Sequence, residues 1–506
     1  MKKRILSTIC VILLFAALVL LFSCTAVGAS GIPEPCGRGI ELYNTVDIED
    51  GGVELLYTGD GVDPLAYNTY CVQLLLSDYS ILNRNEIDDR IYTTFVNRKS
   101  GDSLYVAYNP AASIEEQAEE GREPIKKSAP AMRIVSSKTK GGALGSADIL
   151  SPKSGYEKKT DPIITAVPLY LHATGLSYVI TLEDGSFIVL DGGGVSRGET
   201  EHTQLFDILS ELHTQVRGAP PSTESPIRIA AWILSHNHWD HYYCFELMLE
   251  EYGQSGLIEL EYMLANLPNK SAVTENISDL HYMDSELIAS LSEAVGGFEF
   301  VRVHTGQKYY FAGVEMEILA TWEDLDPSTL TAANNTCTVA RFGFGGSLWK
   351  EKTTMLWLAD AELLESDHLT ETYGSYLKSD IVTIAHHGNV GCSSLLYDLV
   401  DPTAVLWPNA GRAVCHYIDP ENRPLGGAYE VDQHLVYDID SVRYIVMSGD
   451  KSSNPEDYRS SCTCLIIGKD GPEYDGIYNL YSGELAKYGS IAEFIEKGYY
   501  ETVLTK

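Results

Sequence analysis

Three histidines and one aspartate lie within six residues of each other, directly after an apolar run. The run is Ile227–Leu234, and the cluster, spaced H-x-H-x-D-H, consists of His236, His238, Asp240 and His241. The apolar run is typical of a buried strand, so the four side chains leave the same end of that strand. A lone histidine is usually structural, whereas imidazoles and a carboxylate at this spacing are typical ligands of transition-metal ions. The sequence therefore predicts a metal site in which the first two histidines share one ion and Asp240 and His241 are directed towards a second.

Three further segments show an apolar run that ends in polar or glycine residues. Leu190–Gly194 lies upstream of the cluster, whereas Leu356–Glu362 and Ile381–Gly388 lie downstream. Between them, strand-like runs alternate with amphipathic stretches such as Thr203–Gln215. This alternation predicts an α/β fold, with the polar residues at strand ends.

These motifs, in this order, resemble the metallo-β-lactamase superfamily over roughly residues 160–470. The His386-His387-Gly388 form of the last segment, preceded by Asn334-Asn335 and Val339, resembles one subgroup in particular. That subgroup contains the extracellular domain of DNA-uptake competence proteins and the choline-phosphate esterases of cell walls. The resemblance implies an αββα sandwich, with two mixed sheets inside, helices outside and the site at one edge of the sheets.

The resemblance also implies two divalent metal ions, zinc or alternatively manganese. The six implied ligands are His236, His238, Asp240, His241, Asp360 and His387. Asp360 would bridge the ions, and Asp191 would orient the site through hydrogen bonds. The sequence leaves open which of His386 and His387 is the ligand; we prefer His387 and expect His386 to face the substrate. Asp240, His386 and Asp360 are the predicted catalytic residues.

One position departs from the lactam-hydrolysing members of the superfamily. Those members have a third histidine on the first metal, and no obvious counterpart is present here. His304 lies in a segment typical of a turn, and we expect it at the surface. An open coordination position leaves room for a substrate oxygen, which disfavours β-lactam hydrolysis.

A dinuclear site of this kind is suited to water activation and to binding phosphodiester oxygens. The predicted function is therefore an exported phosphodiesterase-type hydrolase that acts on an envelope or extracellular phosphoester. A DNA-uptake-type nuclease is the alternative enzyme, and a non-catalytic metal-binding envelope protein is the alternative of another class. The chain has 36 Lys+Arg against 71 Asp+Glu, a net charge of −35. This charge favours a small phosphoester over a long nucleic acid and disfavours anionic lipid; no protein partner is inferred.

The N-terminus predicts export. Lys2, Lys3 and Arg4 precede the apolar run Ile5–Phe22, which is the layout of a secretory signal. Residues 1–30 are interpreted as a cleaved signal, a lipoprotein signal after which Cys24 would be the lipidated first residue, or an uncleaved anchor. We therefore expect the protein at the cell surface, attached to the membrane by this segment, or secreted. The spacing of the eight cysteines beyond it does not decide between disulfides and buried thiols.

The remaining boundaries follow from changes in composition. Residues 31–110 are predicted to form a small α+β accessory domain, with no cluster of chemical groups. Residues 111–160 are predicted to be a linker, in which one apolar patch around Met132–Val135 could form a strand. Residues 161–470 form the predicted hydrolase domain, and residues 471–506 a C-terminal extension with a short helix near Ile491–Tyr499.

Overall fold

The computed structural model describes residues 32–47, 52–116, 125–137, 149–168, 176–194, 201–268, 283–325, 330, 332–345, 352–389, 391–421, 428–449, 458–497 and 503–505. The chain divides into two compact units, residues 1–147 and 148–506. The predicted signal or anchor, residues 1–30, lies outside the described residues. Within the described residues, no helix is both long and apolar enough to span a membrane.

The described part of the first unit is a six-stranded antiparallel sheet with one helix on one face. Its strands, in spatial order, are β1 (Glu41–Asp47), β2 (Val53–Thr58), β6 (Ile125–Ser137), β5 (Ser103–Glu116), β4 (Arg90–Asn97) and β3 (Tyr79–Ile87). Helix α1 (Pro64–Leu76) begins after Asp63, whose Oδ1 accepts a hydrogen bond from Ala66 N at 2.7 Å. Proline at the first helical position and this cap define where the helix begins.

Part of the predicted linker belongs to this sheet. Strand β6 pairs with β2 on one side and with β5 on the other, so it is a central strand. Met132 and Ile134 alternate into the core beneath α1, so this segment has a buried face. The Lys- and Ser-rich residues on either side made the segment resemble a linker in the sequence.

The second unit contains two sheets. The strands of the first sheet are β7 (Ile163–Ala166), β8 (Ser177–Thr181), β9 (Phe187–Asp191), β10 (Ile227–Ile233), β11 (Ile258–Leu260), β12 (Tyr262–Ala265), β13 (Glu299–Arg302), β21 (Thr463–Gly468), β22 (Gly471–Pro472) and β23 (Tyr478–Asn479). Strands β9, β10, β12 and β13 are mutually parallel neighbours. Their carboxyl ends therefore lie at the same edge of the sheet.

The second sheet repeats this organisation. Its strands are β14 (Lys308–Phe311), β15 (Val314–Ala320), β16 (Val339–Phe344), β17 (Thr353–Trp357), β18 (Ile381–Thr383), β19 (Ala404–Ala410), β20 (Tyr444–Gly449), β24 (Tyr488–Ser490) and β25 (Val503–Thr505). Strands β17 to β20 are parallel neighbours. Asp360 and His387 follow two of these strands directly.

Helices cover the outer faces of the sheets. They are α2 (Glu201–Arg217), α3 (Trp239–Tyr252), α4 (Ser285–Ala294), α5 (Leu363–Tyr373), α6 (Ser394–Val400), α7 (Gly411–Ile418), α8 (Ala428–Gln433), α9 (Tyr458–Ser461) and α10 (Ile491–Lys497). Leu209 of α2 and Phe245 of α3 share one core cluster with Phe187 and Val189 of β9. The alternate residue Ile188 is equally buried, as expected for the inner face of a sandwich. The predicted α/β fold class, with two sheets and outer helices, is confirmed.

The segment predicted as a C-terminal extension takes part in both sheets. Strand β25 pairs with β20, and β23 pairs with β21. The predicted terminal helix is α10, which ends at Lys497. The sequence pattern of short, separated strands near the C-terminus gave no indication of these long-range pairings.

A buried side chain links the ends of the two central strands that precede the site. Thr383 Oγ1 accepts a hydrogen bond from Leu358 N at 2.9 Å, and both residues are buried. Thr383→Val should leave this N–H without an acceptor and lower the free energy of unfolding by about 1–3 kcal/mol. Denaturant unfolding measures this loss. Thr383→Ser keeps the hydroxyl and is the control; equal stability of the valine and serine variants would contradict the prediction.

Candidate metal centre

The candidate site lies where the carboxyl ends of the two parallel strand sets meet. The first sheet contributes Asp191, at the end of β9, and the segment Ser235–His241 after β10. The second sheet contributes Asp360 after β17 and the His386-His387 pair after β18. Thr338 N donates to Ser235 O at 2.9 Å and joins the strand ends of the two sheets.

Four of the residues at these strand ends have left-handed backbone. Asp191, Ala359, His386 and His387 have φ values of 51°, 48°, 48° and 57°. This conformation costs a non-glycine residue roughly 1–2 kcal/mol. The chain therefore turns sharply at the end of each strand, and such strain is typical of functional sites.

The turn after His387 is fixed by Trp407. Gly388 has a φ of 83°, and a Cβ at this position would lie 2.6 Å from the Trp407 ring. Trp407 Nε1 donates to His387 O at 3.0 Å, and Asn409 Nδ2 donates to the same oxygen at 3.3 Å. Glycine is thus required here, and β19 holds the backbone of the His-His pair in place.

The structure brings the predicted ligands together in two overlapping groups. His236, His241 and Asp360 form one group, and Asp240, His241 and His387 form the other. Within each group the potential ligand atoms lie within 4.8 Å of one another. The remaining predicted ligand, His238, has its Nδ1 3.0 Å from His236 Nε2. All six predicted ligands therefore belong to one site.

Asp360 occupies the centre of this arrangement. Its Oδ2 lies 3.1 Å from His241 Nε2, 3.3 Å from His387 Nε2 and 3.8 Å from His386 Nε2. Burial by itself raises the pKa of Asp360, but His241 and His387 bring that pKa well below its usual value. Asp360 is thus an ionised, buried carboxylate that faces both ligand groups, which is the placement expected of a bridging ligand.

Several donor atoms fit a pair of metal ions. His241 Nε2 and His387 Nε2 are buried and lie close to Asp360 Oδ2 without the geometry of a hydrogen bond, and Asp360 Oδ1 is buried with no hydrogen bond to any described residue. Buried polar atoms normally have such partners, so three that converge without them indicate a place for cations. Burial, with the nearby His241 and His238, also lowers the pKa of His236 well below its usual value, which favours the neutral imidazole that binds metals. The donor set supports a metal-dependent enzyme.

Asp191 and Ser235 orient two of the imidazoles. Asp191 Oδ1 accepts from Ser235 N at 2.8 Å, and its Oδ2 lies 2.8 Å from His241 Nδ1 and accepts from Ser235 Oγ at 3.0 Å. Ser235 Oγ is also 2.9 Å from His236 Nδ1. The contacts to His241 and to His236 both engage Nδ1, so Nε2 of each ring is directed into the site, as is usual for histidines that bind metal.

Glu362 and Asn334 form a polar contact around His386 that the sequence interpretation missed. Glu362 Oε1 accepts from Asn334 Nδ2 at 2.8 Å and lies 3.3 Å from His386 Nδ1. Asn334 is in a short helical turn before β16, so it is separated from Glu362 by an entire hairpin. Both residues were visible in the motifs, but no sequence spacing links them to His386.

An open cleft of about 210 Å³ gives access to the ligands. Its lining consists of His238, Trp239, Asp240, Asp360, His386, His387 and Asn389. Trp239 lines this cleft, whereas Trp407 is fully buried and supports the backbone of the His-His-Gly turn. Trp239 packs against Gly194, where a Cβ would lie 2.4 Å from its ring, so the Gly-rich segment makes room for it.

His304 is not at the surface, and the expectation for this residue was wrong. It is 1% exposed, and its Nδ1 lies 2.8 Å from Glu323 Oε2. Gln307 Oε1 accepts from His304 N at 2.7 Å, so the turn is hydrogen-bonded inwards. A turn pattern shows that the chain reverses here but does not show which face of the turn becomes covered. His304 belongs to neither group of candidate ligands among the described residues.

Of the described cysteines, Cys36 is disulfide-bonded and the other seven, which include those near the site, are free thiols. Cys392, close to the His-His-Gly turn, is buried and its thiol donates to Ala361 O at 3.5 Å. Burial raises the pKa of Cys392 well above its usual value, so this thiol is a structural group.

Comparison with known proteins gives matches among solved structures alone. No protein-family model matches the chain, and no curated protein matches it either. The chain is similar to the metallo-β-lactamase fold protein YhfI from Bacillus subtilis, with 16% identity, a TM-score of 0.30 and coverage of 49% of this chain and 85% of that one. It is also similar to CmlA, a diiron β-hydroxylase from Streptomyces venezuelae, with 12% identity, a TM-score of 0.28 and coverage of 74% and 67%. A metallo-β-lactamase from Cronobacter sakazakii matches with 12% identity, a TM-score of 0.22 and coverage of 42% and 75%. At these identities and TM-scores, the function has to be inferred from the site residues themselves.

Asp191→Asn tests whether the supporting hydrogen bonds matter for metal binding. An asparagine offers one acceptor oxygen in place of two, so it cannot receive Ser235 N, Ser235 Oγ and His241 Nδ1 together. Metal affinity should fall by about 10- to 100-fold, measured by zinc competition with a chromophoric chelator. Asp398→Asn, at an exposed position on α6, should leave the affinity unchanged. Equal affinities for the two variants would contradict the assigned role of Asp191.

Glu365, in the first turn of α5, should make the stability of the metal-free protein depend on pH. Burial raises its pKa from the usual 4.5 to about 8. Between these pH values the folded chain retains a proton that the unfolded chain has lost, so stability decreases as pH rises towards 8. Glu365→Gln should remove this decrease. At about 1.4 kcal/mol per pKa unit, a rise from 4.5 to about 8 corresponds to several kcal/mol in the free energy of unfolding. Denaturant unfolding from pH 4.5 to 8, with exposed Glu371→Gln as control, measures it; parallel curves for wild type and Glu365→Gln would refute the assignment.

Proposed function

We propose that this protein is an exported dinuclear-metal hydrolase of the phosphodiesterase type, acting on an envelope or extracellular phosphoester. The observation that carries the proposal is the convergence of His236, His241 and Asp360 with Asp240 and His387. Three of these residues, Asp240, Asp360 and His387, also line an open cleft. A scaffold that merely bound a structural metal would have no need of an open cleft beside its ligands.

The residues divide between two ions as follows. His236 and His238 would hold the first ion, whereas Asp240, His241 and His387 would hold the second. Asp360 would contribute to both, consistent with its place in one group with His236 and its short distances to His241 and His387. Imidazole and carboxylate ligands suit zinc, with manganese as the alternative. Bound together, the two ions would supply activation of water and stabilisation of negative charge on phosphoryl oxygens.

The chain's own groups complete the chemistry. His386 is partly exposed in the cleft, and Glu362 contacts its Nδ1 at 3.3 Å. This contact orients the ring. We assign His386 to the substrate rather than to a metal, with a role at the leaving oxygen. Trp239 forms an apolar wall of the cleft, beside the position proposed for the ester.

The preferred substrate is a small or zwitterionic phosphoester. A net charge of −35 creates a field that repels long polyanions more than compact, zwitterionic molecules. A cleft of about 210 Å³ suits one phosphoryl group and its near neighbours. The resemblance to choline-phosphate esterases supports the same choice, whereas the resemblance to DNA-uptake competence proteins supports a nuclease as the second candidate. We further propose that the N-terminal segment exports the protein and attaches it to the membrane.

Asp360→Ala should abolish hydrolysis of bis-p-nitrophenyl phosphate. The substitution removes the carboxylate shared by the two ligand groups, so we expect turnover to fall by more than about 100-fold and metal content to fall from two equivalents. Exposed Asp367→Asn on α5 is the control and should keep both. Undiminished turnover by the alanine variant would refute the proposal.

The substrate class can be resolved with the same wild-type protein. The panel consists of a phosphomonoester, bis-p-nitrophenyl phosphate, glycerophosphocholine, single-stranded DNA and a lactam. Competition by single-stranded DNA that weakens with salt would favour the nuclease, since phosphate contacts are salt-dependent. Two bound metal ions without turnover of any panel member would favour the non-catalytic alternative.

A further inference from the structure

Helix α1 presents an exposed apolar face. Leu65, Val72, Leu75 and Leu76 are 73%, 43%, 37% and 62% exposed, whereas Tyr67, Tyr70 and Leu74 on the opposite side pack on the sheet. Positions 65, 72 and 76 are spaced by seven and four residues, so they lie along one side of the helix. Single exposed apolar residues are ordinary, but several of them on one side of a helix indicate an interaction surface.

The edges of the sheet extend this apolar face. Leu42 of β1 pairs with Tyr57, and Ile81 of β3 pairs with Phe95. Tyr57 and Phe95 belong to the core beneath α1, and directly paired residues point to the same side of a sheet. Leu42 and Ile81, 53% and 43% exposed, therefore flank the helix on both sides. Seven of the eleven exposed large apolar residues among those described lie in this small unit: Leu42, Tyr43, Leu65, Val72, Leu75, Leu76 and Ile81.

The polar character of α1 is unusually low for this protein. Its thirteen residues include no charged side chain, although the whole chain has a net charge of −35. Two polar side chains lie between the exposed leucines, and both bond within the helix. Asn68 Nδ2 donates to Pro64 O and Thr69 Oγ1 donates to Leu65 O, each at 2.7 Å. Such internal bonds lower the cost of placing these groups in an apolar medium.

The residues just before β1 contact α1, and in the sequence they follow closely after the apolar N-terminal run. Tyr70 Oη donates to Pro33 O at 2.8 Å, and Gln73 Nε2 donates to Glu34 O at 3.1 Å. Nine residues separate Phe22 from Ile32. Fully extended, nine residues span at most about 30 Å. A membrane-inserted run Ile5–Phe22 would therefore keep α1 close to the bilayer.

We infer that the face formed by α1, Leu42 and Ile81 rests on the bilayer surface, with the exposed leucines in the interfacial region. The partner is a zwitterionic lipid surface, because an uncharged helix offers nothing to anionic headgroups and the acidic chain repels them. This surface goes beyond the proposed hydrolase activity and does not require it.

The test uses the full chain in phosphatidylcholine vesicles with brominated acyl chains. A fluorophore is attached to Leu76→Cys, and the control is Leu395→Cys, whose native leucine is similarly exposed at 58% but lies on α6 of the second unit. Leu65→Cys provides a second position on the same face, and the unsubstituted chain gives the background from native thiols. Quenching at positions 65 and 76 should exceed that at position 395 by about threefold or more, because the interfacial helix lies near the acyl chains.

Flotation of the same samples separates this inference from membrane attachment by the N-terminal segment. A chain that floats with the vesicles, but is quenched equally at positions 76 and 395, would overturn the proposed surface while leaving attachment intact. A chain that does not float would overturn the proposed surface as well. Cross-linking of Leu76→Cys between two copies, without quenching by lipid, would assign the face to self-association instead and would also overturn it.

Discussion

The buried carboxylate of Asp360 is the interaction on which the site depends. A carboxylate that is 2% exposed is costly unless cations or hydrogen bonds compensate it. Here the compensation comes from His241 at 3.1 Å and His387 at 3.3 Å, which follow strands of different sheets of the second unit. The two sheets must therefore bring their strand ends together before this charge is balanced. Binding of divalent ions would compensate it further, so metal binding and the alignment of the sheets should support each other.

This requirement accounts for the local strain. Asp191, His386 and His387 have left-handed backbone immediately after or at the end of parallel strands, where the chain turns sharply towards the site. Trp407 and Asn409 of the adjacent strand hold His387 O, and Thr383 holds the start of the Asp360 segment. The strained turns persist because hydrogen bonds from neighbouring strands fix them, which gives a prearranged ligand set on a rigid scaffold.

The sequence predicted the local part of this arrangement well. Each ligand-bearing segment shows its own signal, an apolar run followed by a polar turn, and the alternation of strands and helices was sufficient for the fold class. The resemblance predicted that these segments meet, but the contacts that surround the predicted ligands could not be predicted. Glu362 and Asn334 meet at His386 because a hairpin folds back, and no spacing encodes that approach. His304 is buried and β6 is a central strand for the same reason, since covering by distant residues decides burial while a local pattern shows only turns and alternation.

The distribution of charge connects the site with the first unit. The chain as a whole has an acidic excess, whereas α1 has no charged residue and several exposed leucines. An acidic protein that touched lipid through charged groups would be repelled by anionic headgroups, whereas apolar contact avoids that cost. Under the proposed function, the same field would favour compact zwitterionic phosphoesters over long polyanions on approach to Asp360 and its histidines. The negative charge of the sequence would then be a common reason for two proposals, the apolar membrane contact and the small substrate.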